Sequence, residues 1–348
     1  MSIEVMKPGL FSTIQDLGRV GFQHLGVPVS GVMDELSHRI ANLLVGNDEH
    51  EATLEITLLG PTLRFGRGAW IVLAGADLGA VSTAAGPAAP DAVPVPLETP
   101  TWIAPGATLQ FGKRRSGLRA YLAVRGGFGV ALAMGSRSTH VRGGIGGLEG
   151  RALRKGDALP LRAATEASAT EAAAAPLSPG VADALRALRD SAPGAPIRVT
   201  RGREWSEFTP AAQDAFLSQP AVVGSQSERM ASRLQGAVLT RRASGDMLSE
   251  AVAFGTVQVP PEGQPIVLMA DRQSTGGYPR IAQVATVDLP RLAQTMPGET
   301  VRFDCIELAL AQRLLLTRSQ QFAALRRALG RPSGEVARAD QSETGGSA

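Results

Sequence analysis

Glycine and proline interrupt this chain throughout: 40 Gly and 23 Pro among 348 residues leave little room for long helices. Glycine frees the backbone and proline removes a main-chain donor, so both mark turns, and frequent turns favour many short strands. A fold made only of helices is excluded on that ground. The length exceeds the roughly 250–300 residues at which a single core stops growing, so two core-bearing units are expected. Short β runs bounded by Gly or Pro recur along the chain: "TLEITLLGPTLRFG", "AWIVLAGADLGAV", "RAYLAVRGG", "AVAFGTVQVP" and "QPIVLMA".

Three stretches punctuate these runs. "GPAAPDAVPVPLETP" (86–100) is too rich in proline for a central strand and reads as an extended connection or an edge. The Ala/Pro-rich bridge 163–196 reads as a loose segment followed by a short helix, because Val181, Leu185 and Leu188 fall at helical spacing. The tail 331–348 is small and polar and is expected to be disordered. The organisation is therefore an N-terminal β-rich unit (1–162), the bridge, and a second β-rich unit (197–330). Helices are few and expected to be short. One holds Leu36, Ile40, Leu43 and Leu44, with Ser30 or Asp34 as cap and Gly46-Asn47 as its end. Another opens at Thr209-Pro210. Asp304 with Glu307 predicts a capping box before "LALAQRLLL", and Ser225 with Glu228 fits the same pattern. "PGATLQFG" (105–112) and "PGETVRFD" (297–304) echo each other; in both, Pro-Gly fits a type II turn leading into a strand.

Composition narrows the functional classes. Charged residues are 19% of the chain, against about 25% in an ordinary soluble domain. The pI is near 9.5 but the net charge is only +3, and just three of the basic residues are lysine (Lys7, Lys113, Lys155). The arginines are scattered among acids and aromatic residues form no stacking series, which argues against a nucleic-acid partner. Cys305 is the only cysteine, so an internal disulfide and a thiolate zinc cluster are excluded and a reducing compartment is compatible. "MSIEVMKPGL" is not a leader, and no apolar run approaches the roughly 18 residues that span a bilayer. These features predict a cytoplasmic protein without membrane contact. No lysine is followed by Ser or Thr, so there is no Walker A sequence. "GGIGGLEG" (143–150) puts Glu149 where a dinucleotide fingerprint needs glycine and reads as a mobile loop. His24, His38, His50 and His140 show no metal-ligand spacing, and no G-x-S-x-G elbow is present.

Polar chemistry concentrates in three places. "STIQDLGRVGFQHLGVPVSGVMD" (12–34) carries Gln15, Asp16, Arg19 and His24 between glycines, and reads either as a binding loop or as a surface loop with a local Asp16–Arg19 ion pair. "SQSERMASRL" (225–234) carries Ser225, Glu228 and Arg229. "MADRQSTGGYPR" (269–280) is the densest, with Asp271, Arg272, Gln273, Thr275, Gly276, Gly277 and Tyr278 following the apolar run Ile266 to Leu268. Arg272 can grip a carboxylate through two parallel hydrogen bonds, Gln273 offers a donor and an acceptor to an amide edge, and the glycine pair lets a backbone approach a ligand closely. The bland reading there is an Asp271–Arg272 ion pair and a turn. Asp271 and Glu228 are the candidates for proton transfer.

"KPGLFSTIQDLGRVGFQHLGVPVSGVMDELSHRIANLLVGND", "LEITLLGPTLRF", "RAYLAVRGG", "GSRST", "SERMASRLQG" and "ADRQSTGGYPRIAQVATVDLPRLAQTMPG", in this order, resemble the biotin-dependent carboxyltransferase-like family. It is also called the allophanate hydrolase subunit 2 family and includes the C-type subunit of 5-oxoprolinase, to which the likeness over about residues 3–315 is greatest. The resemblance implies a mainly β protein of cyclophilin-like barrel units. It also implies an allophanate hydrolase subunit 1-like companion of the 5-oxoprolinase B type, a further protein of the 5-oxoprolinase A type, and ATP-dependent opening of 5-oxoproline to glutamate. ATP would then be handled largely by the partners. The alternatives within the family are a carboxyltransferase half acting on carboxybiotin and an amide or urea, and a non-catalytic antagonist of a kinase inhibitor protein. Met6-Lys7 is the only Met-Lys pair, so biotin would arrive on another protein. Glu228, Ala231-Ser232, Ser274, Arg125 and Phe128 depart from the family pattern, which weakens the 225–234 segment as a fixed catalytic geometry. Lactam opening and urea carboxylation both require an amide to be held and its oxygen polarised, a task suited to Arg272, Gln273 and glycine N–H groups.

Overall fold

The computed structural model describes residues 2–86, 92–162, 177–189, 194–243, 245 and 247–331. The first part of the bridge, part of the proline-rich connection and the tail from 332 lie outside the described residues. The described chain is mostly β. Its helices are α1 (Glu35–Val45), α2 (Pro179–Leu188), α3 (Pro210–Ser218), α4 (Leu289–Ala293) and α5 (Leu308–Ala328). At 21 residues α5 is not short, contrary to the expectation from glycine and proline content; its sequence contains neither residue.

The N-terminal half stacks two antiparallel sheets. One runs Ala158–Pro160, Ser2–Lys7, Thr62–Phe65, Thr108–Gln110, Val81–Thr83 and Val93–Pro94, which places the proline-rich stretch at an edge. The other runs Phe11–Gln15, Thr53–Thr57, Ser116–Val124, Ala69–Asp77 and Thr101–Ile103. Side chains alternate across a strand, and "AWIVLAGAD" uses both faces. Ala69, Ile71 and Leu73 enter the core between the sheets, whereas Trp70, Val72 and Ala74 face a helical layer with Ile40 and Leu44 of α1, Val181 and Leu185 of α2, and Phe322 and Leu325 of α5.

The second half forms an eight-stranded sheet in the order Thr300–Val301, Ala221–Val223, Ala231–Gln235, Ile266–Leu268, Thr256–Gln258, Arg280–Val284, Ile197–Arg201 and Phe303–Cys305. Its two edge strands are consecutive pieces of one run interrupted at Arg302, so the sheet must curl back to meet itself as a nearly closed barrel. Val199, Val257, Val267 and Ile281 fill it, and Phe216 of α3 stacks on Phe303 with ring centroids 4.6 Å apart. The two Pro-Gly echoes both turn into strands, with Gly106 at φ 77° and Gly298 at φ 89°, the sign a type II turn requires.

Local caps behave as their chemistry suggests where a helix forms. Asp34 accepts from Ser37 N at 3.0 Å and Gly46 closes α1 at φ 98°, while Thr209 accepts from Ala212 N at 3.2 Å to start α3. Two capping boxes do not form. Ser225 and Glu228 precede the strand Ala231–Gln235 rather than a helix, because residues 231–233 pair with Ile266–Leu268. Asp304 is drawn into the strand Phe303–Cys305 opposite Arg198, and Glu307 caps α5 without a side-chain bond.

The halves meet around one guanidinium. Arg229, from the second half, donates to Glu55 Oε1, to Gly31 O at 2.5 Å, and through Nε and Nη2 to both oxygens of Asp271 at 2.8 and 3.0 Å. Glu55 Oε2 accepts from Tyr121 Oη at 2.7 Å and from Met33 N at 2.8 Å, and Tyr121 Oη in turn accepts from Asp34 N at 2.8 Å. Burial works against the charge on Arg229, but Asp271 and Glu55 hold its pKa well above the ordinary arginine value. Beside this network Gln294, the C-cap of α4, accepts from the Leu118 and Arg119 amides at 2.8 and 2.9 Å and donates to Asp34 Oδ2 at 2.7 Å.

Arg229→Met strands two buried carboxylates and should lower unfolding free energy by about 3–5 kcal/mol, read from the urea midpoint. Adding Glu55→Gln and Asp271→Asn should restore part of the loss. Phe322→Ala, at a side chain 1% exposed with the Arg39 guanidinium 3.7 Å from its ring centroid, should cost about 3–5 kcal/mol in the same assay. His38 is fully buried with Nδ1 2.9 Å from Thr53 Oγ1, and burial holds its pKa down at about 3. The unfolded chain therefore binds the extra proton between about pH 6.5 and 3, so this contribution is complete above that window. Stability should fall as pH is lowered through it, by up to about 1.4 kcal/mol per pH unit.

Candidate functional site

Asp16 directly follows the strand Phe11–Gln15. Its Oδ1 accepts from Ser136 Oγ (2.6 Å), Ser138 Oγ (2.5 Å) and Gly18 N (2.8 Å), and its Oδ2 from Arg137 N (2.5 Å). Burial alone would raise the Asp16 carboxyl, but these bonds outweigh it and keep the group below the usual range. With its lone pairs spent, Asp16 does not form the local ion pair with Arg19. Arg19 is 1% exposed and turns instead to the carbonyls of Ser138 and Ala133. Gln15 is buried and donates to Thr139 O at 2.9 Å, whereas His24 sits exposed in a short 3-10 turn, Gln23–Leu25. Asp16 and Gln15 thus staple the loop to segment 136–139.

Ser225 and Glu228 are exposed and lie in the turn before the strand Ala231–Gln235. Arg229 is buried at the junction described above, so the ion pair of the third cluster is Asp271–Arg229 and not Asp271–Arg272. Arg272 is half-buried; Nη1 reaches Met269 O at 3.4 Å, the guanidinium lies 5.7 Å from the Phe254 ring centroid, and Nε has no partner among the described residues. Gln273 and Thr275 are exposed, Gly277 is half-buried and Tyr278 is 46% exposed. Thr275–Gly276 pairs with Glu250–Ala251. At Gly276 a side chain would begin 2.6 Å from Gln258 Nε2, so a larger residue there would displace the Gln258 amide.

His140 joins this group although its spacing in the sequence marks nothing. It is 8% exposed and its Nδ1 has no partner among the described residues; the same is true of Arg19 Nη1. Burial lowers the His140 pKa, opposed by Asp271 and reinforced by Arg19, Arg229 and Arg142. Asp271 is also a counter-charge to Arg272 and, after Asp16, to Arg19. The charge of one carboxylate therefore acts on cations and an imidazole drawn from both halves. The glycine run 143–150 is packed over them. A Cβ on Gly143 would lie 2.7 Å from His140 Nδ1, and one on Gly146 2.6 Å from Arg19 Nη2. Arg142 Nη1 reaches Met230 Sδ at 3.3 Å, carrying this loop onto the second half. The arrangement offers N–H groups for a carbonyl or carboxylate oxygen and a ring nitrogen, neutral at neutral pH, for a proton. No group of His, Cys, Asp and Glu suited to a metal occurs among the described residues, and no described helix is long and apolar enough to cross a membrane.

A readable trace of the missed residues exists. Glu55 stands alone in the apolar "LEIT", and Arg119 and Tyr121 interrupt "LRAYLAV"; a charge inside a buried strand implies a partner. Nothing comparable singles out His140.

The family model described as carboxyltransferase domain, subdomain A and B, matches residues 25–305. The chain is 40% identical over 328 residues to the C subunit of 5-oxoprolinase from Escherichia coli strain K12, covering 92% of this chain and 95% of that protein. It is 36% identical over 312 residues to the C subunit of 5-oxoprolinase from Haemophilus influenzae, covering 90% and 94%. Among solved structures, the urea amidolyase of K. lactis superposes with a TM-score of 0.81 at 29% identity, over 95% of this chain but only 20% of that one. The chain belongs to the carboxyltransferase-domain family, closely related to the C subunit of 5-oxoprolinase and to the allophanate hydrolase subunit 2 type.

Proposed function

We propose that this chain is the amide-holding half of a carboxyltransferase-type enzyme that works with companion subunits on a small amide or urea. The observation that carries the reading is a set of buried nitrogens without a partner among the described residues, Arg19 Nη1, His140 Nδ1 and Arg272 Nε, on side chains that all feel the Asp271 charge. In this reading Arg272 and Gln273 bind the amide and polarise its oxygen, with Thr275, Gly277 and Tyr278 on the exposed rim. His140 accepts the proton that the amide nitrogen releases, while Asp271, both of whose oxygens are held by Arg229, orients the cations. Arg19 suits a carboxylate, and carboxybiotin, carried on another protein, would supply the carboxyl group when bound. The eight-stranded half serves as a rigid wall, and we read it as a cyclophilin-like barrel.

A second reading is favoured by the nearly end-to-end match to the C subunit of 5-oxoprolinase. Here the same site holds the lactam of 5-oxoproline for ATP-dependent opening to glutamate, with A-type and B-type partner proteins handling ATP. The readings separate when the chain is mixed with such companions and turnover is followed. Dependence on carboxybiotin supports the first, and ATP turnover driven by 5-oxoproline without biotin supports the second. Tight association with no turnover under either condition overturns both.

Arg272→Ala should lower kcat/KM on the order of 10²-fold in the productive assay, and unchanged turnover removes Arg272 from the site. Because burial lowers the His140 pKa, the acid limb of the kcat/KM profile should lie below about 6.5, with activity lost as His140 takes up a proton. His140→Gln should remove that limb along with most of the rate.

A further inference from the structure

A cavity of about 350 Å³ lies where α1, α2, α4 and α5 converge on the first half, and none of the residues grouped around Asp271 lines it. Three arginines do: Arg189, Arg291 and Arg318. Two of them are already engaged. Arg189 pairs with Glu98, and Arg291 lies 3.5 Å from Asp288 and donates to the carbonyls of Ala195 and Pro196. Arg318, midway along α5, makes no hydrogen bond or ion pair among the described residues although its side chain is half-buried.

The carboxylates whose charges act on it, Asp34, Asp288 and Glu35, make no ion pair with it, and Glu35 pairs with Arg39. Asp34 accepts from Ser37 and Gln294, and Asp288 is held by Arg198 at 2.6 and 2.9 Å. A guanidinium taken part-way out of water without a partner is costly, and burial lowers its pKa accordingly. The rest of the wall mixes the apolar Leu36, Leu188, Val287 and Pro290 with Ser37, Gln294 and Asp34, whose carboxyl pKa is pushed up by burial. The volume falls in the range of about 300–1,000 Å³ typical of small-molecule sites.

We propose that this cavity binds a small organic carboxylate, with its carboxylate on Arg318 beside Arg189 and its hydrocarbon part against Leu36, Leu188 and Val287. Arg318 presents a fork that matches a carboxylate through paired N–H groups, and the apolar wall selects against a bare inorganic anion. Bound there, the ligand bridges α5 to α1 and α4. It also sits against Asp34, whose main chain begins the hydrogen-bonded series through Tyr121, Glu55 and Arg229 to Asp271. Occupancy therefore strengthens the contact between the halves.

The test is thermal unfolding of the full chain titrated with sodium butyrate, sodium glutarate or inorganic phosphate, at ionic strength held constant with sodium chloride. A saturable rise in Tm with butyrate or glutarate is expected, since a ligand that binds only the folded state stabilises it by mass action. Arg318→Gln should weaken the fitted affinity at least tenfold. Leu36→Glu, which keeps Arg318 but places a like charge for the ligand in the cavity, should do the same, and Arg272→Ala should leave the titration unchanged. No saturable shift with either carboxylate overturns the proposal, as does an unaltered titration in both cavity variants. Phosphate acting as well as butyrate overturns it too, because the apolar wall would then contribute nothing. A shift that disappears in Arg272→Ala places the ligand in the other site and has the same consequence.

Discussion

Everything at the junction of the two halves is arranged around the Arg229 guanidinium. A buried charge is tolerable only when its donors are matched, and here Glu55, Gly31 O and both oxygens of Asp271 match them. Glu55 is itself completed by Tyr121 and Met33 N, so two strands of the first half, the residues leading into α1 and two turns of the second half share one network. An apolar junction could slide, but a set of directional bonds with buried ends has one geometry. The polar residues of the candidate site are tied to that geometry, since Asp271 belongs to the network and its charge acts on Arg19, His140 and Arg272.

The helices reinforce the same junction from the other side. Strand Ala69–Asp77 supplies alternate residues to two cores, and its outer face is covered by helices from distant parts of the chain. Because α5 follows the last strand of the barrel and packs on α1 and α2, the C-terminal segment returns to the first half and ties the halves together. A site built from both halves needs this, because a cleft between two loosely joined units would not hold donors to within a fraction of an ångström. The candidate cavity beside Arg318 lies within that helical layer, at a second point where segments of both halves meet.

Much was legible locally. Turn residues, strand alternation and the caps at Asp34 and Thr209 depend on neighbours a few positions away, so the pattern and the structure agree. The capping-box pattern at Ser225 and Glu228 failed because strand pairing between residues 231–233 and 266–268, partners far apart in sequence, outweighs a local preference. The concentration of polar chemistry at 269–280 was visible in the sequence, but the division of labour within it was not. Asp271 has an arginine next to it in the chain and nonetheless pairs with Arg229, 42 positions away.

By itself, the amino-acid sequence determined the β-rich class, the placing of turns, the ordered motifs that mark the family, and the segments in which polar chemistry would collect. Those properties follow from residue type and short-range spacing. Only the tertiary structure decided that Asp16 anchors a loop and that Arg229 locks the halves. It likewise decided that the Asp271 charge acts on His140 and on cations from both halves, and that Arg318 stands in a cavity without an ion-pair partner among the described residues. Burial and pairing depend on which distant segments pack together, and a side chain's charge, proton affinity and freedom to meet a ligand are set by that packing.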